Sequence, residues 1–202
     1  YNKLGNVFDD QTKFRKALKE YKTARKIAPK DQTSYKNIAN YHKRRGNINK
    51  AINTIKQGIS KARGNPEGYY NLGNLYYNSR RYKDALRLYR KAVKLNPNRS
   101  KYFRGIGESF IRLNNMTGAI RAFKQAIKVN PTDARAYERL GDIYAKLGKM
   151  KLAEEYYKKA LAYNSKNKHL RNKYTKTFRH NKRMQELANK RNKDNNNKYG
   201  NN

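Results

Sequence analysis

The sequence predicts an all-α protein built from stacked antiparallel helix pairs, and three observations carry that prediction. Aromatic residues recur every 34 positions, at Tyr1, Tyr35, Tyr69, Phe103 and Tyr137. Leu4, Ile38, Leu72, Ile106 and Leu140 follow three residues later, each beside a small residue: Gly5, Ala39, Gly73, Gly107 and Gly141. Further along, Ala17, Ala51, Ala85, Ala119 and Ala153 keep the same register, and no insertion breaks it. Self-similarity at a fixed period of this length is the signature of a repeat array.

Within each repeat the apolar residues fall at helical spacing. Tyr69, Leu72 and Tyr76 mark a first helix, and Tyr82, Leu86, Tyr89 and Val93 a second. Gly73 and Ala85 sit where the two backbones must approach, and Ala92 where the next pair packs. Turns between the helices are signalled by Gly46-Asn47, Asn114-Asn115 and Gly148. Pro29, Pro97 and Pro131 stop the second helix, because proline lacks the N–H and its ring clashes with the preceding turn. A pair of this kind cannot bury its apolar face alone, and stacking of like pairs buries it continuously.

These residues resemble the tetratricopeptide repeat (TPR) family. The segment Tyr69-x-x-Leu72-Gly73-x-x-Tyr76, then Ala85, Tyr89, Ala92 and Pro97, follows the family pattern with Tyr at its usual Trp position. The resemblance covers residues 1 to about 167 and implies a right-handed superhelical solenoid. Five repeats are expected, over 1–31, 32–65, 66–99, 100–133 and 134–167, followed by a basic capping helix over 168–192 and a disordered Asn/Lys-rich tail over 193–202. Tyr1 falls at the fourth position of the first repeat, so the reading expects a longer parent protein. The second repeat departs most from the pattern: His42 replaces the aromatic, Gly58 the alanine and Arg63 the proline. A looser repeat, or a second helix without a sharp stop, is expected there.

The balance of 50 Lys+Arg against 14 Asp+Glu gives a formal charge of +36. Every repeat is basic, and residues 32–65 contain no acidic residue. Part of this fits the compositional bias of a Lys- and Asn-rich chain; the functional reading is attraction of an anionic partner. The partner expected first is an acidic protein or peptide segment. Nucleic acid (RNA), drawn to the basic surface, and an anionic membrane surface are the alternatives. The chain has no Cys, which excludes disulfides, a thiolate nucleophile and Cys-ligated metals and says nothing of the redox compartment. No apolar run of transmembrane length occurs.

The resemblance implies that the first helices line a concave groove. In phase, its partner-facing candidates are Lys36, Asn37, Asn40, Lys43 and Arg44; then Tyr70, Asn71, Asn74 and Tyr77; then Lys101, Arg104 and Arg112; and finally Arg135 and Arg139. Tyr70 and Tyr77 are expected to be exposed. Some TPR domains hold the C-terminal carboxylates of chaperones with a Lys/Asn clamp. Lys36, Asn40, Asn71 and Lys101 match that clamp, while Gly105 stands where it has Arg, with Arg104 alongside. Each charge-assisted bond in such a clamp is worth roughly 1.5–3 kcal/mol.

Catalysis has little support. His42 occupies a packing position, and His169 and His180 fall in the end helix, where they are not placed close together. The carboxylate pairs Asp9-Asp10 and Glu154-Glu155 are sequence neighbours that point apart on a helix. No enzyme activity, metal, cofactor or small-molecule substrate is expected. The expected function is a non-enzymatic scaffold that binds a protein segment.

Overall fold

The computed structural model describes residues 2–3 and 14–199. Over residues 14–199 ten helices follow one another: α1 (Phe14–Ile27), α2 (Gln32–Arg44), α3 (Ile48–Lys61), α4 (Pro66–Asn78), α5 (Tyr82–Leu95), α6 (Ser100–Arg112), α7 (Met116–Val129), α8 (Ala134–Lys146), α9 (Met150–Tyr163) and α10 (Lys168–Tyr199). The first helices begin at 32, 66, 100 and 134, and α10 at 168, so the 34-residue period of the sequence is the period of the structure. Among the described residues there is no strand. Most of the first repeat's opening helix lies outside the described residues.

Local chemistry sets the helix ends. Asp31 and Asn65 accept from the backbone N–H of Thr33 and Glu67, both at 2.9 Å. Asp133 and Asn167 accept from Ala136 and Leu170, at 3.2 and 3.0 Å. A side-chain oxygen in this position satisfies one of the orphan donors of the first turn. Arg99 occupies the equivalent place before α6 and supplies no such bond. In the four repeats after the first, the internal turn uses one residue in the left-handed region: Gly46, Arg80, Asn114 and Gly148, with φ of 74°, 60°, 58° and 72°. All four share one register position, although Arg80 carries a side chain that ordinarily avoids this region.

Two compact bodies make up the chain, residues 1–122 and 123–202, and α7 crosses the boundary. In the first body, α1 packs on α2, and the succession continues through α3, α4, α5 and α6. First helices also touch one another, α2 against α4 and α4 against α6, so they share a face. The core runs through Tyr35, Ala39, Ile55, Leu72, Tyr76, Ala85, Tyr89 and Ile106. Gly73 lets α4 and α5 meet: a Cβ there would stand 2.7 Å from the Tyr89 ring. The second helix of the second repeat does not run on. Helix α3 stops at Lys61, in register with its neighbours, because Gly64-Asn65-Pro66 turns the chain and starts α4. Gln32 fills the space left by Gly58, its Nε2 donating to the Gly58 carbonyl at 2.8 Å.

In the second body, α8 packs on α9 and α9 on α10. Gly141 lies against Tyr157, whose ring a Cβ would meet at 2.5 Å. Helix α10 begins as the first helix of a further repeat would. Leu170 is 1% exposed and Thr177 is buried. Lys173 Nζ donates to Glu138 and Asp142 of α8, both at 2.8 Å. Asn181 Nδ2 donates to the Met150 carbonyl at 3.2 Å and to Glu154 at 2.6 Å. Phe178 takes the place of buried Tyr144 one repeat earlier, yet is 45% exposed, because among the described residues no helix follows to cover it. The helix continues to Tyr199, past the expected boundary at 192/193. No Gly or Pro falls within Lys168–Tyr199, and Gly200 follows its last residue.

Candidate functional site

On α2, Lys36, Asn40 and Lys43 are separated by four and three residues and therefore share one stripe of the helix. On α4, Asn71, Asn74 and Asn78 do the same. Because α2 and α4 are neighbours, the two stripes face a common cleft of about 320 Å³. Ala39, Ile55 and Leu75 give it an apolar lining, and Tyr77 lines its far end. Among the described residues no acidic side chain contributes to it. The Tyr89 hydroxyl donates to Asn74 Oδ1 at 2.7 Å, which assigns the oxygen of that amide to the tyrosine and leaves its N–H groups to the cleft. Burial raises the Tyr89 pKa far above its ordinary value, so the hydroxyl stays protonated and keeps donating.

Tyr77 and Asn78 also line a second cleft, of about 560 Å³, with Arg80, Tyr82 and Arg112. The two clefts thus adjoin at Tyr77 and Asn78. Arg112 Nε donates to the Tyr77 hydroxyl at 3.1 Å, and the Tyr77 ring meets Tyr82 edge-on with centroids 5.3 Å apart.

Residues 35 apart recur as partners in this array: Tyr77 with Arg112, Glu67 with Tyr102, Glu138 with Lys173. The period explains it, since a shift of one repeat plus one residue brings side chains of adjacent first helices face to face.

Other expected groove residues have different surroundings. Asn37, one period before Asn71, is 8% exposed, its Nδ2 donating to Asn2 at 3.4 Å. Tyr70 and Tyr77 are half-buried rather than exposed. Tyr70 is held between Tyr89 and Tyr102, with centroids at 5.6 and 5.3 Å, and the Lys101 ammonium lies 5.1 Å above its ring. Lys101 pairs with Glu67 at 2.7 Å, and the Tyr102 hydroxyl donates to the same carboxylate at 2.7 Å. Burial opposes ionisation of Glu67, but the bonds from Lys101 and Tyr102 outweigh it and hold the pKa below the usual carboxylate value. Lys101 therefore reaches a carboxylate of its own chain and does not line the cleft that holds Lys36, Asn40 and Asn71. Arg44 is exposed at the end of α2, and Arg104 is half-buried on α6. In the second body Arg135 is exposed, and Arg139 pairs with Asp142 at 3.3 Å.

Arg80 and Tyr82 were not among the expected groove residues. The signal for Arg80 was its register with Gly46, Asn114 and Gly148, which places it at a turn and aims it beyond the helix end. His42 is half-buried with its ring edge-on to Tyr41. Burial, reinforced by Lys50 and Lys22, lowers its pKa, so it is a neutral packing group. His169 and His180 are exposed on α10.

Two profiles, each described as tetratricopeptide repeat, match the sequence, over residues 66–99 and 104–167. Among solved structures, MamA is similar at 25% identity, covering 82% of this chain and 97% of that one with a TM-score of 0.65. TTC0263, a thermophilic TPR protein of Thermus thermophilus, matches at 22% identity over 88% of this chain and 96% of its own, with a TM-score of 0.70. YrrB, a TPR protein with an unusual peptide-binding site, matches at 21% identity over 83% and 86%, with a TM-score of 0.58. No curated protein matches the sequence closely enough to lend it a function. The repeat period, the helix pairs and these matches together identify the chain as an all-α tetratricopeptide-repeat protein.

Proposed function

We propose that this protein-interaction scaffold takes an extended acidic segment of a partner protein into the groove along α2 and α4, and that it does so without catalysis. The observation that carries this reading is the acid-free cleft of Lys36 and Lys43 with Asn40, Asn71 and Asn74. Two ammonium groups supply attraction for carboxylates, and the amides supply donors and acceptors for an extended backbone. The floor of Ala39, Ile55 and Leu75 accepts an apolar side chain between them. Rigidity contributes as well: side chains mounted on packed helices need little ordering when a ligand arrives. A peptide-binding site in YrrB, a protein of similar fold, supports the same use of the array. Lys101 joins such a site only by exchanging Glu67 for the ligand.

The test is a titration of the whole chain with a fluorescent Asp/Glu-rich peptide and, separately, with single-stranded RNA. Lys36→Ala with Lys43→Ala should weaken peptide binding by roughly ten- to a hundredfold, at about 1.5–3 kcal/mol for a charged hydrogen bond and partial compensation. An unchanged affinity in that variant, or tighter binding of RNA than of peptide at moderate salt, would sink the proposal.

A further inference from the structure

Past the lysines, the adjoining cleft is lined by a cation whose geometry differs in kind. At Lys36 and Lys43 the positive groups are ammonium ions on flexible stems. At the far end the cation is Arg112, on the last turn of α6, and its guanidinium is held from one side. The Tyr77 hydroxyl occupies the Nε edge at 3.1 Å. Tyr77 is itself fixed, half-buried on α4 with its ring against Tyr82. A guanidinium has two edges that can make paired N–H bonds, and with Nε engaged the remaining one is the end-on edge of the two Nη groups. Arg112 is exposed, and among the described residues the cleft it lines with Tyr77, Asn78, Arg80 and Tyr82 contains no carboxylate. Glu108, one turn earlier on α6, lines neither cleft, although its charge acts on Arg112.

We infer that Arg112, oriented by the Tyr77 hydroxyl, determines specificity in the groove by pairing end-on with one Asp or Glu side chain of the bound segment. The inference rests on the groove being the binding site. Its chemistry is that of the planar fork: two parallel N–H bonds match the two oxygens of a carboxylate, a match that an ammonium cannot reproduce. Tyr77 is a positioning residue for this contact, because its hydroxyl holds the Arg112 guanidinium. The Lys36/Lys43 end then supplies attraction that tolerates many acidic sequences, while Arg112 demands an acid at one place along the chain.

The experiment is an anisotropy titration with a fluorescent Glu-rich peptide and the set of its single Glu→Gln analogues, against wild type, Arg112→Lys, Tyr77→Phe and Lys36→Ala/Lys43→Ala. Arg112→Lys keeps the charge and removes the fork. It should weaken the parent peptide about tenfold, and the loss should vanish against one Gln analogue, marking the position that Arg112 reads. Tyr77→Phe keeps the ring and its contact with Tyr82, and should give a smaller loss confined to the same position. A loss spread evenly over all positions, or parent-like affinity in both variants, overturns the inference. Failure of the wild type to bind the Glu-rich peptide overturns the groove reading itself. Binding that is abolished by Lys36→Ala/Lys43→Ala yet indifferent to Arg112→Lys and Tyr77→Phe leaves the groove standing and removes Arg112 alone.

Discussion

Gly141→Ala tests the close helix crossing on which each repeat depends. In an isolated helix the change is favourable, since Gly is about 0.8–1 kcal/mol worse than Ala in a helix interior. Here the added Cβ would stand 2.5 Å from the Tyr157 ring. That ring has little room to yield: Tyr157 is buried and its hydroxyl is tied to Asp142 at 2.9 Å. Overpacking of a tight core costs about 1–3 kcal/mol. The net expectation is a loss of about 1 kcal/mol, with the sign opposite to that of helix propensity. In urea, with a slope of about 1–3 kcal/mol/M, this lowers the midpoint followed by circular dichroism by about 0.3–1 M. With Tyr157→Leu already present, the same Gly141→Ala should become neutral or stabilising, since the obstructing ring is gone. A rise in stability of Gly141→Ala in the otherwise unchanged chain would refute the argument.

Two further predictions concern the first body. Arg80→Gly should stabilise the chain by about 0.5–1 kcal/mol in the same urea assay: it removes a left-handed penalty of about 1–2 kcal/mol and adds backbone freedom to the unfolded chain. His42 has a folded pKa below its ordinary 6.5, so the unfolded state binds the proton more readily. Its contribution is complete above about pH 6.5 and falls as pH drops from there through the depressed folded value, and His42→Phe should flatten that part of a melting-temperature profile.

How far the groove could be read in advance depends on the kind of contact. Lys36, Asn40, Lys43, Asn71, Asn74 and Tyr77 line the first cleft because helical phase and a constant period are properties of a linear pattern. Asn37 stands one period before Asn71 yet does not line that cleft, because its amide meets Asn2 of the preceding repeat. Lys101 and Tyr70 fail for another reason. Their surroundings are made by Glu67, Tyr89 and Tyr102, and which of several basic and aromatic neighbours satisfies a carboxylate is a choice among competing partners.

By itself the sequence determined the array: the 34-residue step, the helix ends, the turn positions and the small residues at each crossing. These follow from local stereochemistry and from the need of every pair to hide its apolar side against a copy of itself. The tertiary structure alone decided which charges remain available. Lys101 and Lys173 are taken by carboxylates of neighbouring helices, whereas Lys36 and Lys43 face amides. It also decided that Arg112 is held by a tyrosine one repeat and one residue away. Electrostatic pairing depends on distances of a few ångströms across the stack, and no periodicity encodes those.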